Sequence, residues 1–160
     1  MATSQDVFIN EGVFGVLDGG AITAETADWS NGLAAPMSQG ALIVTGINTG
    51  YVRVTALAQN TSPLLDQDTE QWEEIVEISL HAPDGRLALE SLELGPVANE
   101  PSHLSPSGPG WYRLRVFTRG REVLRDKVSM EPVEDYLLVT WPEARRESEV
   151  LKAGAGTRHP

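Results

Sequence analysis

Six carboxylates lie within twelve positions of the sequence, with no lysine or arginine between them. The segment reads DQDTEQWEEIVEISL, and its acidic residues are Asp66, Asp68, Glu70, Glu73, Glu74 and Glu77. If they form one outward-facing surface, they would attract a protein that is basic or that itself binds polyanions. The structural alternative is that acidic residues at the start of a strand keep an exposed sheet edge from aggregating.

Calcium is the metal that this acidic segment could hold. On the loop of an EF-hand, Asp66, Asp68 and Glu70 would take the first, third and fifth positions, and Glu77 the last. The sixth position requires glycine for its sharp turn, but Gln71 stands there. An EF-hand is therefore disfavoured, and an irregular loop site for calcium is the alternative that the oxygen ligands leave open.

Other catalytic and cofactor chemistry has no matching motif in the chain. The three histidines are far apart and there is no cysteine, which disfavours zinc and iron sites. The sequence has no G-x-S-x-G elbow, no Ser-x-x-Lys pair, no dinucleotide fingerprint and no phosphate-binding glycine loop. We therefore predict no catalytic residues, no bound metal and no cofactor, and we interpret the chain as non-enzymatic.

Charge is distributed unevenly along the 160 residues, whose net charge is −11. Residues 1–112 carry fifteen acidic and two basic side chains, whereas residues 113–160 carry eight acidic and ten basic ones. Direct nucleic-acid binding is disfavoured, because it needs basic side chains that displace counterions. The lack of cysteine, of a signal-peptide pattern and of a long apolar run predicts a cytoplasmic protein without a membrane anchor.

Half of the basic residues lie in one short segment, RLRVFTRGREVLRDK. They are Arg113, Arg115, Arg119, Arg121, Arg125 and Lys127. We interpret them as a strand face that is either solvated or paired with the acidic strand, since opposite charges on neighbouring strands contribute about 0.2–1 kcal/mol per pair. A phosphate-binding strip is the alternative interpretation.

The elements that must position these residues are short strands. Residues 6–17, DVFINEGVFGVL, predict a strand pair joined at a turn-prone triplet. The segment ALIVTGINTGYVRVT predicts two more strands around Asn48, Thr49 and Gly50, either paired with each other or lying in different sheets. WYRLRVFT predicts a strand by its alternation, which puts Tyr112, Leu114, Val116 and Thr118 on one face and Trp111, Arg113, Arg115 and Phe117 on the other. EDYLLVTW predicts a closing strand that Pro142 ends.

The acidic segment fits a strand or a helix by periodicity alone. Its β-branched and aromatic residues favour a strand. The two faces of that strand would carry Trp72, Val76, Ile78 and Leu80 on one side and Glu73, Ile75, Glu77 and Ser79 on the other. Residues 82–85, APDG, then predict the turn of a hairpin that leads into RLALESLEL.

About seven to nine short strands without strand–helix alternation predict an all-β fold. We expect a single antiparallel β-sandwich of jelly-roll type over residues 1–141, followed by a polar tail at 142–160 that could form two helical turns. The predicted core consists of Phe8, Phe14, Ile43, Val44, Val52, Val54, Trp72, Val76, Ile78, Leu80, Leu87, Leu89, Tyr112, Leu114, Val116, Tyr136 and Leu138.

Two long loops, 18–40 and 95–110, suggest an alternative function. Trp29 lies in the first and Trp111 directly follows the second, and both indoles could stack on sugar rings. The chain would then be a ligand-binding module for carbohydrate or calcium. A third hypothesis is that the chain is a structural component of a larger assembly.

Several segments, taken in order, resemble a family of small β-sandwich proteins. They are ADWSNGLAAPMSQGALIVTG, WEEIVEISLHAPDGRLALESL, SPSGPGWYRLRVFT and EDYLLVTW. Their arrangement is similar to that of competence-associated inhibitors of the DNA-entry nuclease, and of bacterial immunity proteins of similar build. The resemblance implies an inhibitor or immunity protein that neutralises a nuclease or toxin through an acidic surface. The partner-binding residues would be Asp66, Asp68, Glu70, Trp72, Glu73, Glu74 and Glu77, with Trp72 or Trp111 as the aromatic anchor.

Overall fold

Two β-sheets pack face to face and enclose one apolar core. The computed structural model describes residues 4–65, 67–97, 103–154 and 156–157; of residues 67 and 68 it describes the backbone alone. Numbered in chain order, the strands of the larger sheet are β1 (Gln5–Ile9), β5 (Thr49–Ala58), β6 (Glu74–Ala82), β9 (Gly110–Arg119), β10 (Val128–Ser129), β11 (Asp135–Pro142) and β12 (Glu149–Lys152). Those of the smaller sheet are β2 (Val13–Asp18), β3 (Ala34–Pro36), β4 (Ala41–Val44), β7 (Leu87–Ser91) and β8 (Gly95–Pro96). The predicted all-β sandwich is confirmed.

The strand order shows how the chain passes between the sheets. The larger sheet runs β1-β5-β11-β9-β6-β12, with β10 also paired to β5, and the smaller one runs β3-β4-β2-β7-β8. Strands β10 and β11 both pair with β5 in parallel, whereas the other pairs are antiparallel. The larger sheet is therefore mixed: it departs from the predicted antiparallel arrangement where β10 and β11 pair with β5.

Consecutive strands repeatedly enter different sheets, which corrects two predicted pairings. Strands β1 and β2 are both present, but β1 pairs with β5 while β2 pairs with β4 and β7. The turn at residues 82–85, closed by a hydrogen bond from the Gly85 amide to the Ala82 carbonyl, carries the chain from β6 across to β7 instead of closing a hairpin. Strands β4 and β5 also lie in different sheets, as one of the two alternatives predicted.

The core between the sheets contains most of the predicted residues. Fourteen of the seventeen are buried in it, from Phe14 in the smaller sheet to Leu138 in the larger one. Phe8 and Val44 are half-buried. Trp72 packs on the opposite, outer face of the larger sheet, beside a second apolar cluster formed by Ile75, Phe117, Val139 and Trp141. The larger sheet is thus apolar on both faces near β9, and part of the chain must cover its outer face.

The predicted helical turns of the tail are absent from the described residues, because residues 149–152 form β12. This strand pairs antiparallel with β6, and Glu149 lies opposite Glu77. Its apolar side chains alternate: Val150 packs against the main core, and Leu151 packs against the outer cluster. A period of two with apolar surface on both sides favours a strand over a helix.

Within the described ranges, no helix is long and apolar enough to cross a membrane.

A matched pair of glycines tests the parallel contact between β10 and β5. Gly50 has φ +134°, and a Cβ there would lie 1.8 Å from the carbonyl oxygen of Ser129. Gly110 has φ +145°, but a Cβ there would meet nothing within 4 Å. Both alanine variants carry similar backbone strain, so the difference between them isolates the collision.

We expect Gly50→Ala to lower the free energy of unfolding by at least about 2 kcal/mol more than Gly110→Ala does. Urea denaturation followed by tryptophan fluorescence measures both values. Equal destabilisation by the two variants would show that β10 does not lie against Gly50.

Candidate functional site

The carboxylates of the acidic segment lie in different environments. Asp66 is outside the described residues, and the backbone of Asp68 lies in a 3₁₀-helix (Gln67–Gln71). Glu70 and Glu73 are exposed, whereas Glu74 and Glu77, in β6, are only 3% and 4% exposed. The expectation of one outward-facing surface is therefore wrong for Glu74 and Glu77, which the chain's own arginines neutralise.

Glu77 is the centre of a buried ionic network. Its Oε1 accepts hydrogen bonds from Arg113 Nε at 3.0 Å and Arg146 Nη2 at 3.1 Å, and its Oε2 accepts one from Arg115 Nε at 2.7 Å. The register of β6 against β9 produces this arrangement, since it places Glu77 opposite Arg115 and Ser79 opposite Arg113. The cross-paired interpretation of the basic segment is confirmed for these residues.

A second ionic pair connects the two sheets. Glu74 accepts two hydrogen bonds from Arg121, Nε to Oε2 at 2.8 Å and Nη2 to Oε1 at 2.7 Å. The remaining terminal nitrogen of Arg121 donates to the carbonyl oxygens of Gly32 and Val44, each at 3.0 Å. This guanidinium is buried, and all three of its nitrogens donate hydrogen bonds. Arg121 therefore fixes the chain just after β9 against the smaller sheet.

The aromatic anchors predicted for a partner differ in exposure. Trp72 is half-buried: its ring lies 5.8 Å from that of Phe117, and the guanidinium of Arg119 lies 4.9 Å above it. Trp111 is 38% exposed and stacks on His81, with 4.4 Å between ring centres and 17° between planes. Trp111, at the start of β9, is therefore the aromatic side chain of the two that is available to a ligand.

The Glu77 network holds a stretch of the tail against the larger sheet. Arg113 donates to the carbonyl oxygens of Arg146 at 3.2 Å and Glu147 at 2.9 Å. The hydroxyl of Ser79 donates to the Arg146 carbonyl and accepts from its amide, both at 3.0 Å. Arg146 also pairs with Glu143 and Glu149. Residues 145–148 are thus positioned by a buried carboxylate on a distant strand.

The opposite side of this stretch faces the loop at 18–40, which Asp18 anchors at both ends. The buried carboxylate of Asp18 accepts from Gln39 Nε2 at 3.0 Å and from the amides of Asp84 and Arg86 at 2.8 and 2.7 Å. Within the loop, the Asp28 amide donates to the Pro36 carbonyl at 3.0 Å, and the Ser38 amide donates to the Thr26 hydroxyl at 2.8 Å.

A cleft of about 630 Å³ lies between the loop and the tail. Its walls combine one aromatic ring, several hydroxyl groups and four charged side chains: Thr26, Asp28, Ser30, Pro36, Met37, Ser38, Ser79, Trp111, Arg145, Arg146, Glu147 and Ser148. Trp29 lies between two of these residues but does not line the cleft itself. The described part of loop 95–110 does not line it either, so the two predicted loops do not form a joint site there.

Charge in the cleft is mixed. Hydrogen bonds from the side chain and the backbone N–H of Ser30 lower the pKa of Asp28, which keeps this carboxylate ionised. Arg145 is exposed, and its guanidinium lies 6.0 Å from the ring centre of Trp111. Across the described part of the chain, no group of three or more His, Cys, Asp or Glu side chains is placed to share a metal ion. The cleft therefore offers hydrogen-bonding groups and one aromatic ring.

Sequence reasoning identified Trp111 and the loop at 18–40, which supplies six of the twelve lining residues, and missed Ser79 and the residues of the tail. Arg145 and Arg146 were assigned to a helical tail, and Ser79 to the polar face of a strand. A signal was available for the tail, because EVLK at 149–152 alternates as a strand does and follows the two arginines directly.

Comparison with known proteins yields a fold relative. No protein-family model matches the chain, and no curated protein sequence matches it. A solved structure described as Crocagin biosynthetic gene J is similar, with a TM-score of 0.50 over 89% of this chain and 99% of that one. The two sequences are 15% identical, so the similarity concerns the fold alone.

The burial of Glu77 predicts a large effect of its neutralisation. Glu77→Gln leaves Arg113 and Arg115 without their shared carboxylate, and breaking a buried pair costs about 3–5 kcal/mol. Glu73→Gln is the matched control, because Glu73 is exposed and accepts one hydrogen bond, from the Gly120 amide.

We expect the control to change the free energy of unfolding by less than about 1 kcal/mol. Chemical denaturation of both variants at neutral pH makes the comparison. A Glu77→Gln protein as stable as Glu73→Gln would mean that Glu77 lies at the surface.

Proposed function

We propose that the chain is a non-enzymatic binding domain that takes a carbohydrate in the cleft beside Trp111. One observation carries this proposal: an indole that is 38% exposed lines a cleft of about 630 Å³. This volume is in the range of ligand sites, about 300–1,000 Å³. Because His81 stacks against this indole, the ring is held in place before a ligand arrives.

The chemistry of the walls favours a sugar over an apolar ligand. A pyranose ring has apolar faces that pack on an aromatic ring and hydroxyl groups around its rim. The cleft has matching hydroxyls on both walls, from Ser30 and Ser38 on the loop to Ser148 on the tail. Each hydroxyl can donate and accept, and Asp28 and Arg145 add a strong acceptor and a strong donor.

The environment of Asp28 fits a binding role better than a catalytic one. Glycoside hydrolysis needs a carboxylic acid whose pKa is raised so that it can protonate the leaving group. The pKa of Asp28 is lowered instead, chiefly by hydrogen bonding from Ser30. An ionised Asp28 serves as an acceptor for sugar hydroxyls and not as a general acid.

Tryptophan substitution tests the proposed function directly. We expect oligosaccharides in a glycan panel to change the tryptophan fluorescence of the protein in a saturable manner. Trp111→Ala should weaken the affinity about tenfold or more, which corresponds to ~1.4 kcal/mol. Trp29→Ala is the control and should bind as the unmodified protein does, since Trp29 does not line the cleft.

Two results would contradict the carbohydrate proposal. One is the absence of saturable binding to any glycan, and the other is an equal loss of affinity in the two tryptophan variants. A calcium titration of the same protein belongs in the experiment, because a response to calcium alone would favour the metal-binding alternative.

Protein binding through the acidic segment is a second candidate. It is favoured by the net charge of −11 and by the exposure of Glu70, within the 3₁₀-helix, and of Glu73, shortly after it. In this candidate the chain is a cytoplasmic inhibitor or immunity protein whose partner is basic or binds polyanions. Charges that remain exposed would mainly accelerate association, and salt would screen them.

Charge reversal at Glu70 tests this second candidate. A partner captured from lysate at low salt should be released at high salt, and Glu70→Lys should reduce the amount captured several-fold. Glu131→Lys, at an exposed residue on the connection between β10 and β11, is the control with the same change in net charge. Equal capture by both variants would contradict a specific role of the acidic segment.

A further inference from the structure

A second cavity, of about 290 Å³, lies on the outer face of the larger sheet. Its floor consists of side chains from three neighbouring strands, including Leu57, Phe117 and Val139. Its outer wall comes from the connection between β5 and β6, which contributes Leu64 and Leu65. Leu64 is 89% exposed, so this leucine forms an apolar rim that faces water.

A buried guanidinium lines the cavity. Arg115 is among its lining residues and is only 5% exposed. Its Nε donates to Glu77, and one terminal nitrogen donates to the Pro63 carbonyl at 3.1 Å. The guanidinium also lies 5.1 Å from the ring centre of Trp141 and 6.0 Å from that of Phe117. Arg115 is thus held by two hydrogen bonds in the wall of a mainly apolar groove, whose uncharged polar residues are Gln59, Thr69 and Gln71.

The carboxylates of the Glu77 network are unevenly placed around its arginines: Glu143 and Glu149 pair with Arg146 on the tail side, away from Arg115. Arg113 and Arg115 are both buried, and both pair with the single buried carboxylate of Glu77. On the tail side, Glu149 lies 3.8 Å from Arg113 and also pairs with Arg146. Among the side chains that the structure describes, Glu77 is the one carboxylate within ion-pair distance of Arg115.

We propose that this groove binds a small amphipathic carboxylate, such as a short acyl or aryl acid, with its anionic group at Arg115 and its apolar body on Phe117 and Val139. The apolar part of the walls provides the burial of a hydrocarbon chain, and the guanidinium of Arg115, the charged side chain in the lining, favours an anion over a neutral or cationic head group. The site lies on the opposite side of the Glu77 network from the Trp111 cleft and does not depend on the function proposed for that cleft.

Three ligands with the same chain and different head groups test the charge preference. Isothermal titration calorimetry of the full chain compares octanoate, 1-octanol and octylammonium. We expect octanoate to bind at a single site, about tenfold more tightly than 1-octanol, and octylammonium to bind most weakly. Equal affinity for octanoate and 1-octanol, tighter binding of octylammonium, or no saturable binding of octanoate would overturn the proposal.

Variants locate the site and identify its cation. Leu64→Asp removes an exposed wall residue and adds a repelling charge, so it should weaken octanoate binding about tenfold. Leu94→Asp makes the same change at an exposed leucine that does not line the groove, and its affinity should be unchanged. Equal octanoate affinity in the two aspartate variants would overturn the assignment.

Arg115→Gln should abolish the preference for octanoate over 1-octanol while 1-octanol still binds. If Arg115→Gln does not fold, the ligand series and the two leucine variants decide the question. Trp111→Ala should bind octanoate as the unmodified protein does. A loss of octanoate binding in Trp111→Ala would place the anion in the cleft instead and would overturn the proposal.

Discussion

The rest of the structure depends on one buried carboxylate that three guanidinium groups share. Glu77 lies in β6, Arg113 and Arg115 in the neighbouring strand β9, and Arg146 in the tail. A carboxylate and two guanidinium groups with so little exposure are tolerated only if they remain paired and hydrogen-bonded. The tail therefore has to cover them, and this requirement converts residues 143–152 from a polar extension into part of the sandwich.

The network also separates the two candidate sites of the molecule. On one side, Arg113 and Ser79 bind the backbone of residues 146 and 147, which places Arg145 and Ser148 in the wall of the cleft that Trp111 lines. On the other side, Arg115 lines the mainly apolar groove. The acidic and basic segments that are conspicuous in the sequence thus largely neutralise each other. Their role is to fix the positions of the cleft and of the groove on either side of them.

The sequence predicted where the strands lie better than which strands pair with each other. Alternation of side chains identified β9 and β11 and assigned Val76, Ile78 and Leu80 to one face, because local periodicity depends on the pleat alone. Pairing depends on where the chain crosses between sheets, and a short turn such as residues 82–85 is compatible with a hairpin or with a crossing. The parallel pairing of β5 with β11 joins residues that are far apart in the chain, so no local pattern indicates it.

The candidate site was only partly predictable, because local periodicity does not show which part of the chain covers a strand face. The pleat places Glu77 on the face opposite to Val76, but periodicity does not reveal whether that face meets water or another part of the chain. The cover comes from the tail, more than sixty residues later, and its interpretation as helix concealed it. Trp72 was assigned to the wrong face because the 3₁₀-helix and the irregular residues after it interrupt the alternation before β6 begins. Trp111 was identified because it directly follows the proline-rich loop at 95–110 and an indole can stack on a sugar ring.

Amide hydrogen exchange in the tail tests the central role of Glu77 most directly. In the unmodified protein, the Arg146 amide donates to Ser79, and the amides of β12 lie along the edge of β6. We predict that these amides are protected and that Glu77→Gln brings their exchange close to the rate of an unfolded chain, while β5 and β11 retain more of their protection. Tail amides that exchange freely in the unmodified protein, or that are equally protected in both proteins, would contradict the account.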